Sequence, residues 1–259
     1  MPHQILTSAK SAMLKEYKDH VEERLQQGIP PLPLNAEQVA DLVELLKSPP
    51  AGEEEFILDL IKNRTPAGVD PAAYVKAAFL TALAKGETSS PLIDKKLATE
   101  LLGTMLGGYN VESLIKLLKD EEVGAIAADG LSKTLMMFNA KHEVIELAAE
   151  NENAKRVVES WSNGEWFTSK SKLPEVIKAI VFRVDGEINT DDFSPAQDAP
   201  SRPDIPLHAL AMLKKNMEDP IGTIEKLKES GLPVVFVGDV VGTGSSRKSA
   251  TNSLLWHIG

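Results

Sequence analysis

From about residue 13 to residue 166, apolar side chains recur at helical spacing in short runs, each cut off by a cap or a breaker, so that no run can bury its own stripe. Leu14, Tyr17, Val21 and Leu25 form one stripe; Gly28 stops it, and Pro30, Pro31 and Pro33 prevent its continuation. Asn35 with Gln38 carries a capping-box signature for a helix bearing Val39, Leu42, Val43 and Leu46, which Pro49 and Pro50 close. Asp70 followed by Pro71 is a further start, and Gly86 the matching stop. The same reading predicts helices over 56–61, 97–105, 111–118, 123–138, 144–149 and 154–161. Glu53, Glu54 and Glu55 read as charges favourable to a helix N-terminus. Trp161 and Trp166 read as packing the end of this segment against its neighbour. Short helices on short turns bury their stripes by stacking as antiparallel pairs, in an α-solenoid or an irregular bundle.

The pattern changes at SKSKLPE, 169–175, which is polar and proline-broken. VIKAIVFRV, 176–184, is rich in β-branched residues and reads as a strand. A polar loop over 185–204 follows, then helices over about 206–217 and 221–230 with Gly231 as a cap, a strand over 234–237, a glycine-rich loop and a last helix. The expected fold class is therefore an all-α stack over 1–170, able to fold by itself, followed by an α/β domain over 171–259. Ligands bind such α/β units at the loops beyond the strand ends.

Bulk properties exclude several functions. The 259 residues carry a formal net charge of −10 and no dense basic patch, which argues against a nucleic-acid backbone or an anionic membrane as a partner. No cysteine is present, which removes disulfides, thiolate nucleophiles and a cluster held by this chain's own thiolates. His3, His20, His142, His208 and His257 are scattered, none at metal-ligand spacing; His208, beside Leu207 and Leu210, reads as an ordinary helix residue. Neither a basic leader with an apolar core nor a run of about 18 apolar residues occurs, so a cytoplasmic location is the default expectation.

The chemistry concentrates in GDVVGTGSSRKSATNSLLW, 238–256. An apolar strand delivers the loop, Gly242 and Gly244 let backbone amides approach a ligand, and a helix N-terminus follows beside hydroxyls and a guanidinium. A phosphate-binding P-loop fails because no Gly-Lys falls at the required offset. The dinucleotide fingerprint fails because Arg247 stands where its third glycine belongs. Two readings remain open: a structural turn that happens to contain Ser and Arg, or a cradle in which Ser245, Ser246 and Arg247 hold, and help to deprotonate, a small carboxylated molecule. A second loop bears on the choice. Asn189, Thr190, Asp191 and Asp192 suit turn capping, as do Ser201 and Asp204, but turn chemistry does not account for Arg202. Two arginines on two loops can each form a charge-assisted contact with a separate carboxylate of one ligand.

These residues carry a resemblance. GEINTDDFSPA at 186–196, SRPDIPLHALAML at 201–213 and GDVVGTGSSRKSATN at 238–252 resemble the swivel domain of the bacterial aconitate hydratase B family. PPAGEEEF at 49–56 and LLGTMLGGYN at 101–110 resemble its HEAT-like N-terminal domain. The resemblance implies a lyase of the tricarboxylic acid cycle that interconverts citrate and isocitrate through cis-aconitate and also hydrates 2-methyl-cis-aconitate. It implies that Arg202, Ser245, Ser246 and Arg247 touch the tricarboxylate and that Ser245 is the catalytic base. It further implies a [4Fe–4S] cluster in the complete enzyme, held by cysteines this chain lacks. The chain then reads as an N-terminal fragment ending inside the swivel domain, inactive alone, whose helical part docks on the missing catalytic domains or on another subunit. Two rivals stand beside it: a small subunit of a related hydro-lyase such as isopropylmalate isomerase, against which the long helical segment argues, and a non-catalytic helical interaction module.

Overall fold

The computed structural model describes the backbone of residues 2–259 and the side chains from residue 12 onward, so the side chain of His3 lies outside the described residues. Two compact units are present, one comprising 1–20 and 32–171, the other Val21–Pro31 and Lys172–Gly259.

The first unit is helical: α1 (Pro2–Gln26, its last residues counted with the second unit), α2 (Ala36–Lys47), α3 (Glu54–Asn63), α4 (Pro71–Ala84), α5 (Lys95–Gly103), α6 (Val111–Leu117), α7 (Gly124–Lys133), α8 (Ala140–Leu147), α9 (Glu152–Ser162) and α10 (Glu165–Thr168). The punctuation works as its chemistry predicts. Asn35 Oδ1 accepts from the Gln38 amide at 2.9 Å while Gln38 Oε1 accepts from the Asn35 amide at 3.0 Å, satisfying two otherwise orphaned donors. Asp70 caps Ala72 at 2.8 Å, with Pro71 in the first turn. One predicted helix is too long. The stretch 123–138 is helical only to Lys133; Leu135, Met136 and Phe138 face solvent, and Phe138 adopts φ 44°. Their apolar character extends the stripe in sequence but not in space.

Consecutive contacts run α2–α4–α5–α7–α9, with α3, α6 and α8 packed alongside, so the helices stack as an extended ladder around Leu42, Leu46, Leu80, Leu102, Leu114 and Leu131. At the α5–α7 crossing the backbones touch: a Cβ added to Gly130 would lie 2.8 Å from Gly103 Cα, and one added to Gly103 3.0 Å from Gly130 Cα. Trp161 packs inside this unit, its indole N–H donating to Leu131 O at 3.2 Å. Trp166 is partly exposed beside it. Lys76, on α4, is buried and makes no hydrogen bond or ion pair among the described residues; desolvation pushes its ammonium from the ordinary 10.5 down to about 8.

The second unit contains β1 (Ile180–Arg183), β2 (Glu187–Asn189), α11 (Thr190–Phe193), a 3₁₀ turn (Ala196–Ser201), α12 (Ile205–Ala209), α13 (Pro220–Lys228), β3 (Val234–Val237), β4 (Val240–Thr243) and α14 (Arg247–Ile258). β1 pairs with β3 and β2 with β4, both parallel. Phe182, Val184, Ile188, Phe193, Met212 and Ile224 form the centre of its core, with Phe236 edge-on to Phe193 at 5.0 Å and to Phe182 at 5.7 Å. The predicted strand 176–184 begins only at Ile180, because Val176 and Ile177 stay exposed with no strand to pair them. The predicted loop 185–204 holds β2 and α11, and the first half of the glycine-rich segment is itself β4. The helix predicted over 206–217 is α12 followed by turns, with Leu213 at φ 59°. No helix among the described residues is long and apolar enough to cross a membrane.

Two substitutions test these packing statements. Gly130→Ala should lower stability by about 1–3 kcal/mol despite alanine's better helix propensity, because the new methyl meets backbone rather than a side chain that can yield; a reduced urea midpoint checks this. Lys76→Met should raise the midpoint at pH 7 by an amount equivalent to about 3 kcal/mol, the cost of keeping that ammonium charged in the core. Because the folded-state pKa lies below the unfolded one, the wild type should gain stability as pH rises from about 8 through 10.5, and Lys76→Met should lose that rise.

Candidate functional site

The carboxyl ends of β2 and β4 lie side by side, with Asn189 paired to Thr243, so the segments leaving them start as neighbours. After β2, Asn189 Oδ1 accepts from the amides of Asp191 at 2.7 Å and Asp192 at 3.0 Å, and Asp192 returns the contact to the Asn189 amide at 2.8 Å. This capping box opens α11 and accounts for Asn189 and Asp192 as structure. At the end of β4 the chain turns through Gly242 (φ 84°), still within the strand, and Gly244 (φ 98°), just past it. A Cβ on Gly244 would sit 2.6 Å from Thr190 Oγ1. The close approach that needs glycine at 244 is thus to Thr190 rather than to a ligand. The buried Thr190 hydroxyl accepts from the Ser246 amide at 3.1 Å, fastening the glycine loop to the start of α11.

Arg202 reaches the same place from the end of the 3₁₀ turn. Its Nε donates to Ser194 Oγ at 3.2 Å, and its Nη2 donates to Ser194 O at 3.2 Å and to Ser246 Oγ at 3.3 Å. Ser246 Oγ also lies 3.1 Å from Asp191 Oδ1. Arg202 is half-buried, and its Nη1 makes no hydrogen bond among the described residues. The structure therefore joins Arg202 and Ser246 directly. Ser245, on the loop, and Arg247, the first residue of α14, flank Ser246 in the chain, and both are exposed. The Ser245 hydroxyl and the Arg247 guanidinium have no side-chain partner among the described residues, and Arg247 borders an open cavity of about 280 Å³ with Thr190, Phe193 and Thr251. No group of three His, Cys, Asp or Glu able to hold a metal occurs among the described residues.

Two participants escape a reading by spacing. His208 is not an ordinary helix residue: it is buried, its Nε2 lies 2.7 Å from Ser194 Oγ, and its Nδ1 lies 2.8 Å from Ser201 Oγ and 3.1 Å from Asp198 O. Arg24, next to the stripe residue Leu25, is the buried one of the two. Its Nη1 and Nη2 form a bidentate pair with Asp204 at 2.6 and 2.9 Å, and its Nε donates to Pro30 O at 2.8 Å. Asp204 also caps α12 through the Leu207 amide, so this pair holds the segment that carries Arg202. Separated by 180 positions, the two could not be paired from sequence. Asp204→Ala should destabilise the second unit by about 3 kcal/mol, since it strands a buried guanidinium; comparing the urea midpoints of the variant and the wild type checks this.

Fold and loops together define a class: an all-helical stack followed by a small parallel α/β unit whose polar loops meet at its strand ends. The family pattern described as "Aconitate B N-terminal domain" matches residues 16–167, and that described as "Aconitate hydratase 2 N-terminus" matches residues 179–259. Aconitate hydratase B of Pseudomonas aeruginosa is 60% identical over 258 residues, a match covering 95% of this chain and 30% of that protein. Those of Synechocystis sp. and Escherichia coli are each 58% identical, over 249 and 258 residues, again covering 95% of this chain and 29% and 30% of theirs. The chain belongs to the aconitate hydratase B family. It spans about 30% of the length of the curated relatives it matches.

Proposed function

We propose that this chain contributes the serine base and part of the carboxylate cradle to an aconitate hydratase, a lyase that interconverts citrate and isocitrate through cis-aconitate and also hydrates 2-methyl-cis-aconitate. The observation that carries this reading is the meeting of Arg202, reaching in from the end of the 3₁₀ turn, with Ser246 just beyond β4, where the neighbouring Ser245 hydroxyl and Arg247 guanidinium have no side-chain partner among the described residues. Dehydration of a tricarboxylate requires loss of a weakly acidic proton next to a carboxylate. Ser245 Oγ is the group assigned to take it, which an alkoxide can do only where donors and positive charge stabilise it. Arg247 and the amides opening α14 supply that charge, while Arg202, steadied by Ser194 and Ser246, orients a substrate carboxylate through its free edge.

The family's [4Fe–4S] cluster does not fit the residues present, since the chain contains no cysteine. We assign the cluster to portions of the complete enzyme outside this chain, a division into a HEAT-like domain over 1–170 and a swivel domain over 171–259, and a cytoplasmic location. The helical unit is assigned to docking on the remaining catalytic domains or on another subunit. Its support is an apolar groove of about 540 Å³ between the turns after α3, α5 and α7, where Val69, Leu106 and Phe138 are exposed. The match of residues 16–167 to the aconitate B N-terminal pattern disfavours an isopropylmalate isomerase small subunit.

In an aconitate hydratase B carrying this chain as its N-terminal part, Ser245→Ala should lower kcat by about 10³-fold or more at nearly unchanged KM. Arg202→Lys and Arg247→Lys should mainly raise KM, by about tenfold, because an ammonium cannot reproduce a forked contact. Steady-state kinetics with citrate and isocitrate decide it; near-normal turnover of Ser245→Ala would remove the serine from the role of base. The chain alone should show no turnover.

A further inference from the structure

The proposed chemistry gives no task to the buried imidazole of His208, and its hydrogen-bond pattern supplies one. Ser201 Oγ lies 2.7 Å from Asp198 O, an acceptor only, so the Ser201 hydrogen points there. Facing His208, Ser201 Oγ must then accept, which places the ring hydrogen on Nδ1, shared with Asp198 O. With its hydrogen on Nδ1, the ring presents Nε2 as an acceptor, and the hydroxyl 2.7 Å away, Ser194 Oγ, donates to it. Its lone pairs then face Arg202 Nε, whose donor completes the chain. The chain runs from Arg202 Nε–H to Ser194 O–H to His208 Nε2, and from His208 Nδ1–H, shared by Ser201 Oγ and Asp198 O, to the 3₁₀ turn that immediately precedes Arg202.

We infer that His208 is a positioning residue for Arg202: through Ser194 it fixes the guanidinium plane so that Nη2 meets the glycine loop at Ser246 while Nη1, without a partner among the described residues, is left for a substrate carboxylate. The inference rests on the reading of Arg202 as a carboxylate contact, although the hydrogen-bond chain stands on its own geometry. Two features separate this arrangement from mere core packing. His208 and Ser194 are both buried, so their bonds are protected from competing water. The hydrogen-bond chain also ends on a half-buried side chain whose Nη1 has no partner among the described residues, rather than on another buried group. Ser194 contributes twice, its hydroxyl to Nε and its carbonyl to Nη2, so it grips one edge of the fork, Ser246 takes a second contact from Nη2, and Nη1 keeps no partner among the described residues.

The test uses the complete 259-residue chain, nitrogen-15 NMR of the Arg202 Nε–H, and tricarballylate, a non-reacting tricarboxylate, as the probe. Arg202→Lys identifies the Nε–H signal by its loss. In the wild type that proton should exchange slowly with water. His208→Phe keeps the ring's shape but offers Ser194 no acceptor, and Ser194→Ala removes the link itself. Each should speed Nε–H exchange and weaken tricarballylate binding by about tenfold, the effect of losing one charge-assisted bond. His208→Gln, whose carbonyl can accept at the place of Nε2, should stay within about threefold of the wild type. A role in packing alone would not separate the glutamine from the phenylalanine variant. Unchanged exchange in both His208→Phe and Ser194→Ala, with amide spectra otherwise native, overturns the proposal. If His208→Phe does not fold, Ser194→Ala and His208→Gln decide by the same readout. Faster exchange in those variants, combined with tricarballylate shifts that Arg202→Lys leaves unaltered or that the wild type never shows, supports the geometry but overturns the assignment of Arg202 to substrate.

Discussion

The contact between Gly244 and Thr190 is the constraint on which the α/β unit's arrangement depends. A side chain at 244 would collide with the threonine hydroxyl, and that hydroxyl is the acceptor that fastens the Ser246 amide. Only with the glycine loop laid against the start of α11 can Ser246 meet both Asp191 and Arg202. The parallel pairing of β2 with β4 brings the two segments within reach, and the glycine removes the last atom that would keep them apart.

Around that contact the polar groups form nested supports. Arg24 and Asp204 hold the segment bearing Arg202 at one end, through charges largely removed from water. His208 and Ser194 hold the guanidinium itself. The outermost groups, Ser245 and Arg247, are exposed and without side-chain partners among the described residues, so the fold leaves their hydrogen-bonding capacity unused. A residue satisfied on all sides by its own protein has no capacity left for substrate.

The helical unit follows a different logic. Its stability comes from a repeated, local solution: a capped amphipathic helix that buries one stripe against the next helix in a ladder. Where two helices approach most closely, both present glycine. Lys76 departs from this logic, an ammonium removed from water with its charged form disfavoured by burial. The groove flanked by Leu106 and Phe138, both in left-handed backbone, is the other departure, because there the chain accepts strain and exposes apolar surface together.

Much was legible in the sequence because its signals are local. Caps such as Asn35 and Asp70 act on amides two or three residues away, the strand 234–237 is set by its own β-branched run, and the long motifs around Arg202 and Ser245 carry the family. Where local signals misled, distant partners were responsible: 135–138 keeps apolar character without a surface to cover, and 176–179 has strand composition without a strand to pair. Composition alone determined that the chain cannot ligate a cluster by thiolate, and local pattern determined which segments become helices. Tertiary structure alone decided that Arg24 pairs with Asp204, that His208 reaches Arg202 through Ser194, and that Gly244 is needed for Thr190. Periodicity records only which face of an element is apolar; which polar groups face one another across the fold depends on chain crossings that bring together residues far apart in sequence.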